Sequence, residues 1–165
     1  MLAAVLAAGF LAGPALAEVD IKSRIVPYDE FHRFAAEFDA KSRTVDLARF
    51  MELRAKPGTV VADVRSRTEY DLERIQGAAF LGPDITEENL AAVAPSKDTV
   101  ILIYCTNSLH PTRMISLTDV TLPQIAYLGW TNVYKLDAIW MTGGDKKPGD
   151  VLPMERSDSR PQPLK

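Results

Sequence analysis

Thr99-Val100-Ile101-Leu102-Ile103-Tyr104-Cys105 is the stretch that decides the fold. An unbroken apolar run of this length predicts a strand buried on both faces rather than a half-exposed one with alternating polarity. Cys105 follows it at once. Thr59-Val60-Val61-Ala62-Asp63-Val64 is a second such run, with Asp63 near its C-terminal end. Asn132 to Leu136 gives a third strand and Gly77 to Leu81 a shorter one. Helical patterns lie between them, so the expected class is α/β: a central parallel sheet with helices on both faces. In such sheets reactive groups collect beyond the carboxyl ends of the strands. Cys105 and the residues after Asp63 both lie there.

Working outward, Phe31, Phe34, Ala35 and Phe38 recur at helical spacing and predict an amphipathic helix within an N-terminal helical extension over 18–43. The stripe reads as core packing. His32 falls off it and is expected as a solvated surface residue. A second helix follows, capped by Thr44 or Asp46, with Leu47, Phe50 and Met51 inward and Pro57-Gly58 at its end. Ser66 to Arg74 reads as a short polar helix. Thr86 is a candidate N-cap, with Glu87 and Glu88 in a first turn that favours acidic residues. Pro123 to Leu128 reads as a helix opened by proline and closed by Gly129. Residues 143–165, rich in Gly, Pro and charge, are expected to form a flexible tail.

The first seventeen residues differ in kind. Leu2 to Leu11 is a short apolar run, Gly13-Pro14 breaks it, and Ala15-Leu16-Ala17 forms a small-x-small cleavage site. Residues 1–17 therefore read as a secretory signal peptide, although no Lys or Arg precedes the run. Export to the periplasm, with no membrane association after signal removal, is the expectation. The 165 residues otherwise suit one domain, and a formal net charge of −3 argues against a nucleic-acid partner. The chain has 1 cysteine and 2 histidines. Neither an internal disulfide nor a Cys/His zinc site can be built from that set, and no metal or cofactor is expected. An odd thiol in an exported protein is intermolecular, reactive or simply buried.

Three motifs then appear in order. Asp63-Val64-Arg65, Glu69-Tyr70 and Ile75-Gln76-Gly77-Ala78 resemble the rhodanese segment Asp-Val-Arg, Glu-Tyr, His-Ile-Pro-Gly-Ala. Ile101 to Cys105 resembles the strand that delivers that family's catalytic cysteine. Gly129-Trp130-Thr131-Asn132-Val133-Tyr134-Lys135-Leu136 resembles its Gly-Phe-x-Asn-Val-Tyr-x-Leu stretch. The resemblance runs from about Thr44 to Trp140 and implies a rhodanese-like domain over 44–142. Asp63 and Arg65 read as a structural pair, because charges at the exit of a buried strand need partners.

The resemblance also implies a role for Cys105: a nucleophile that carries sulfur as a persulfide. In the family, a short Gly-containing loop ending in Arg-Ser or Arg-Thr opens directly into a helix. Here the sequence after the cysteine is Thr106-Asn107-Ser108-Leu109-His110-Pro111-Thr112-Arg113. It has no glycine, His110 stands at the usual arginine position, and Arg113 lies three residues later. This longer connection, with the helical extension, is similar to an exported rhodanese-like subgroup in which a Cys-Asn-Asn stretch and a long insert replace the short loop.

The candidate site is therefore Cys105 as nucleophile, with Thr106, Asn107, Ser108, His110 and Arg113 holding a small sulfur-containing anion. Thiolate stabilisation is expected from backbone N–H groups of Thr106 to Leu109. A thiol acceptor or a protein would complete the reaction. The alternative is a catalytically inactive binding module that recognises a protein or small anion and in which Cys105 is an inert thiol. Cysteine-phosphatase or arsenate-reductase chemistry fits poorly, because its cysteine, five residues, arginine pattern meets Pro111.

Overall fold

The computed structural model describes residues 27–112, 115–142 and 147–156. Its strands are β1 (Thr44–Val45), β2 (Val60–Asp63), β3 (Glu73–Ile75), β4 (Ala79–Phe80), β5 (Ile101–Tyr104), β6 (Val133–Leu136) and β7 (Met154–Arg156). The helices are α1 (Tyr28–Glu37), α2 (Leu47–Arg54), α3 (Arg67–Leu72), α4 (Glu87–Val93), α5 (Thr106–Leu109), α6 (Leu117–Tyr127), α7 (Ile139–Thr142) and α8 (Pro148–Val151). Five strands form one parallel sheet in the order β1-β6-β5-β2-β4.

β5 is central, which is why its sequence is apolar without alternation. Ile101 and Ile103 pack with Leu90 of α4, Leu122 and Ile125 of α6, and Trp130. Leu102 and Tyr104 point the other way, onto Phe50 and Leu53 of α2, with Leu109 and Leu136. Helices thus cover both faces, as the apolar runs require. The register sets Asp63 opposite Tyr104, so two expected motifs meet at the same end of the sheet.

The N-terminal helix is present, and its aromatic stripe is half-buried rather than part of the deep core. Phe31 and Phe34 meet Tyr127 of α6 edge-on, with centroids 5.6 and 5.4 Å away. His32 is exposed. Asp46, not Thr44, caps α2, accepting from the Arg49 N–H at 2.8 Å; Thr44 is in β1. Thr86 caps α4 by accepting from the Asn89 N–H at 3.1 Å. Thr86→Ala is expected to cost about 1 kcal/mol, read as a lower urea midpoint at unchanged slope.

Four local expectations differ from the structure. α6 begins at Leu117, six residues before Pro123, which lies inside the helix. Thr118, Thr121, Leu122, Ile125 and Ala126 are buried at helical spacing. That packing overrides the roughly 3 kcal/mol interior cost of proline. The one-turn helix α5 starts directly after Cys105, where the sequence suggested only loop. The polar helix ends at Leu72, and Glu73 to Ile75 form β3.

The expectation of a flexible tail over 143–165 does not hold for 147–156. β7 pairs antiparallel with β3, Pro148 and Leu152 are buried, and Arg74–Glu155 and Arg156–Glu73 bridge the two strands. The charge that suggested solvation is matched across the ladder. The signal segment 1–17, Arg113, and the remainder of the tail lie outside the described residues.

Candidate active site

β5 delivers Cys105 to the carboxyl edge of the sheet, and the chain turns at once into α5. Ser108 fixes that turn. Its hydroxyl accepts from the Cys105 N–H at 3.3 Å and donates to the Leu136 carbonyl at 3.0 Å. Trp140 on α7 donates its indole N–H to the Asn107 carbonyl at 2.8 Å, and Thr112 donates to the Asn107 side-chain oxygen at 2.9 Å. Thr106 donates to Glu69 at 2.5 Å. The cysteine loop is thereby tied to α3, β6 and α7.

The thiol itself faces α6. Cys105 Sγ lies 3.3 Å from the Ser116 hydroxyl and 3.9 Å from that of Thr118, and the two hydroxyls are 2.7 Å apart. Ser116 is the N-cap residue of α6 but makes no side-chain capping bond; its hydroxyl is turned to the sulfur instead. Burial pushes the Cys105 thiol up. The Ser116 hydroxyl, with backbone N–H groups of Thr118, Ser108 and Asn107, outweighs burial and brings it below the usual thiol value. The first turn of an eleven-residue helix is a favourable seat for a thiolate. Cys105 is nevertheless only 1% exposed.

On the other face of β5, where Tyr104 points, lies a second network. Asp63 is fully buried and Arg65 is 5% exposed. Asp63 accepts from Arg65 Nε at 3.0 Å, Arg65 Nη2 at 2.7 Å and the Tyr104 hydroxyl at 2.6 Å. Arg65 also donates to the Glu73 carbonyl at 2.5 Å, and the Ile75 N–H donates to the Tyr104 hydroxyl at 3.1 Å. Burial, then the Asp63 charge, pushes the Tyr104 phenol far up, so it stays protonated and serves as a donor. Burial disfavours the charged Arg65, and the Asp63 bonds more than compensate. Every member of the network has partners, as buried charge requires.

The expected site residues therefore separate. Asn107 and Ser108 offer backbone N–H groups to the sulfur, while the side chains of Thr106, Asn107 and Ser108 are engaged with the protein. His110 is exposed at the end of α5. Arg113 is outside the described residues. Asp63 and Arg65 are joined to each other rather than to the thiol. Ser116 and Thr118, whose hydroxyls meet the sulfur, are not among the residues that the sequence selects. Ser116-Leu117-Thr118-Asp119 does carry a helix-start signal, an N-cap serine with an acidic residue in the first turn, and that signal competes with the proline at 123.

Fold and site together define an α/β domain that presents a single cysteine at the carboxyl end of its central strand. The Rhodanese-like domain model matches residues 46–140, more than half of the chain, and the protein belongs to that family. The rhodanese-like domain of an Anabaena protein, solved in solution, is 21% identical, with 74% of this chain and 86% of that one covered and a TM-score of 0.51. A thiosulfate sulfurtransferase from Pseudomonas aeruginosa is 22% identical over 70% of this chain and 20% of that one, with a TM-score of 0.49. A human single-domain sulfurtransferase is 19% identical over 62% and 98%, at 0.44. No curated protein gives a significant match. Among the described residues, no helix is long and apolar enough to cross a membrane.

Proposed function

We propose that the protein is an exported, periplasmic sulfurtransferase or sulfane-sulfur carrier that works through a persulfide on Cys105. The observation that carries the reading is the seat of the thiol: Sγ at the start of α6, 3.3 Å from the Ser116 hydroxyl, with its pKa held down against burial. An inert core cysteine in apolar surroundings has a raised pKa. Export rests on the apolar run Leu2 to Leu11 and the Ala15-Leu16-Ala17 site.

The chemistry balances with one thiol. The Cys105 thiolate attacks the outer sulfur of a donor such as thiosulfate. The S–S bond of the donor breaks, sulfite leaves with the electron pair, and Cys105 keeps the sulfur as Cys-S-S⁻. The thiolate of an acceptor then attacks that outer sulfur and leaves as a persulfide, returning Cys105 as thiolate. The N–H groups of Asn107, Ser108 and Thr118, with the Ser116 hydroxyl, are the donors that stabilise the anion at both stages. Arg113 is the side chain proposed to hold an anionic donor, with His110 beside the loop.

Incubation with thiosulfate followed by intact mass measurement tests this directly. The expected result is one added sulfur on the wild-type protein and none on Cys105→Ser. An unmodified wild-type mass, across several sulfane donors, would sink the enzyme reading. A second reading is favoured by the 1% exposure of Cys105: a binding module for a protein or small anion, its thiol a covered core group. It predicts no adduct, and alkylation of the native protein slower than that of a free thiol at every pH.

A further inference from the structure

The segment that continues past the family match, which ends at residue 140, is bonded into the fold at a particular place. β7 lies along β3, with Glu73 opposite Arg156 and Ile75 opposite Met154. Beyond the ladder, the Gln76 N–H donates to the Pro153 carbonyl at 2.8 Å and the Gly77 N–H donates to the Glu155 carboxylate at 2.9 Å. Leu152 packs into the same apolar cluster as Ile75 and Tyr104. The other side of β3 belongs to the Asp63–Arg65–Tyr104 network, because the Glu73 carbonyl receives Arg65 and the Ile75 N–H reaches the Tyr104 hydroxyl. Tyr104 is the residue before Cys105. A continuous set of bonds therefore runs from the C-terminal segment through β3 and Tyr104 to the nucleophile.

We propose that residues 147–156 act as a positioning clasp for Cys105, holding β3 against the Tyr104 hydroxyl and so fixing the end of β5 where the sulfur meets Ser116 and the N-terminus of α6. Tyr104, Ile75 and Glu155 are positioning residues in this scheme and touch no substrate. The physical ground is that hydrogen bonds from an N-cap residue and a helix terminus weaken steeply with small displacements, so a site needs supporting contacts that lock its own elements. A free β3 would leave the Tyr104 hydroxyl with Asp63 as its remaining hydrogen-bond partner. The groups facing Tyr104 are Asp63 and Arg65; those facing the sulfur are the hydroxyls of Ser116 and Thr118.

The proposal rests on Cys105 being an activated thiol, and its test uses alkylation, which needs no sulfur donor. Loss of persulfide formation would therefore leave it standing. Iodoacetamide reactivity of Cys105 is measured against pH in wild type, Tyr104→Phe, Glu155→Ala and a chain ending at Thr142, with far-UV circular dichroism to establish folding. The expected result is a midpoint moved to higher pH in all three variants, with about threefold to tenfold less thiolate at pH 7, tenfold being one pKa unit. In a Tyr104→Phe background, Glu155→Ala is expected to move the midpoint no further. If the truncated chain does not fold, the two point variants decide. An unchanged midpoint in folded Tyr104→Phe and Glu155→Ala overturns the proposal, as does a Glu155→Ala shift that persists undiminished without the Tyr104 hydroxyl.

Discussion

Alanine at position 63 is expected to remove about 3–5 kcal/mol of folding stability, the range for breaking a buried ion pair by deleting one partner. Asp63 is fully buried and takes hydrogen bonds from the Arg65 guanidinium, the Arg65 N–H and the Tyr104 hydroxyl. Without it the Arg65 charge remains at 5% exposure with the Glu73 carbonyl as its one hydrogen-bond acceptor among the described residues. Against a total of about 5–15 kcal/mol for a typical domain, much of the protein would unfold near physiological temperature. Urea denaturation measures the effect. The joint change Asp63→Leu with Arg65→Met is expected to recover most of the loss, because replacing both charges removes the uncompensated one. If the double variant is as unstable as Asp63→Ala, the buried charge is not the cause.

Removing the hydroxyls from Ser116 and Thr118 together, as Ser116→Ala with Thr118→Val, is expected to deactivate the thiol without unfolding the domain. A hydrogen bond to a charged group is worth about 1.5–3 kcal/mol, so loss of the Ser116 donor alone lowers the thiolate population at pH 7 by roughly tenfold to a hundredfold. The sign follows from the protonation states. The thiolate accepts from the Ser116 hydroxyl, which Thr118 contacts at 2.7 Å, and the thiol gains little from that bond, so its loss favours the protonated form and moves the alkylation midpoint up in pH. Above both midpoints the variant and wild type should react at similar rates. A rate that falls equally at every pH would show instead that access to the sulfur, not its ionisation, had changed.

Much of the architecture is legible in the sequence because burial on two faces leaves a plain mark. β2 and β5 are continuous apolar runs, and α4 announces itself through Thr86, Glu87 and Glu88. The site is less legible. Ser116 and Thr118 stand eleven and thirteen residues beyond Cys105, and only the packing of α6 on β5 brings them to the sulfur. α6 itself is disguised: two of its buried positions are Thr118 and Thr121, which break the apolar period and make Pro123 look like the start. α5 is four residues long, too short for any periodicity. β7 carries Glu155 and Arg156, whose partners Arg74 and Glu73 lie some eighty residues earlier, so its charge reads as solvated in one dimension.

The covering of Cys105 has a consequence for how fast such a protein can work. A sulfur at 1% exposure meets a reactant only during excursions that uncover it. However nucleophilic Ser116 and α6 make the thiolate, turnover cannot exceed the frequency of those excursions. In the proposed sulfur transfer, the same cover would shield a loaded outer sulfur from casual collision with the wrong thiol. Speed would then be traded for fidelity of delivery, and a partner that opened the cover on docking would set both.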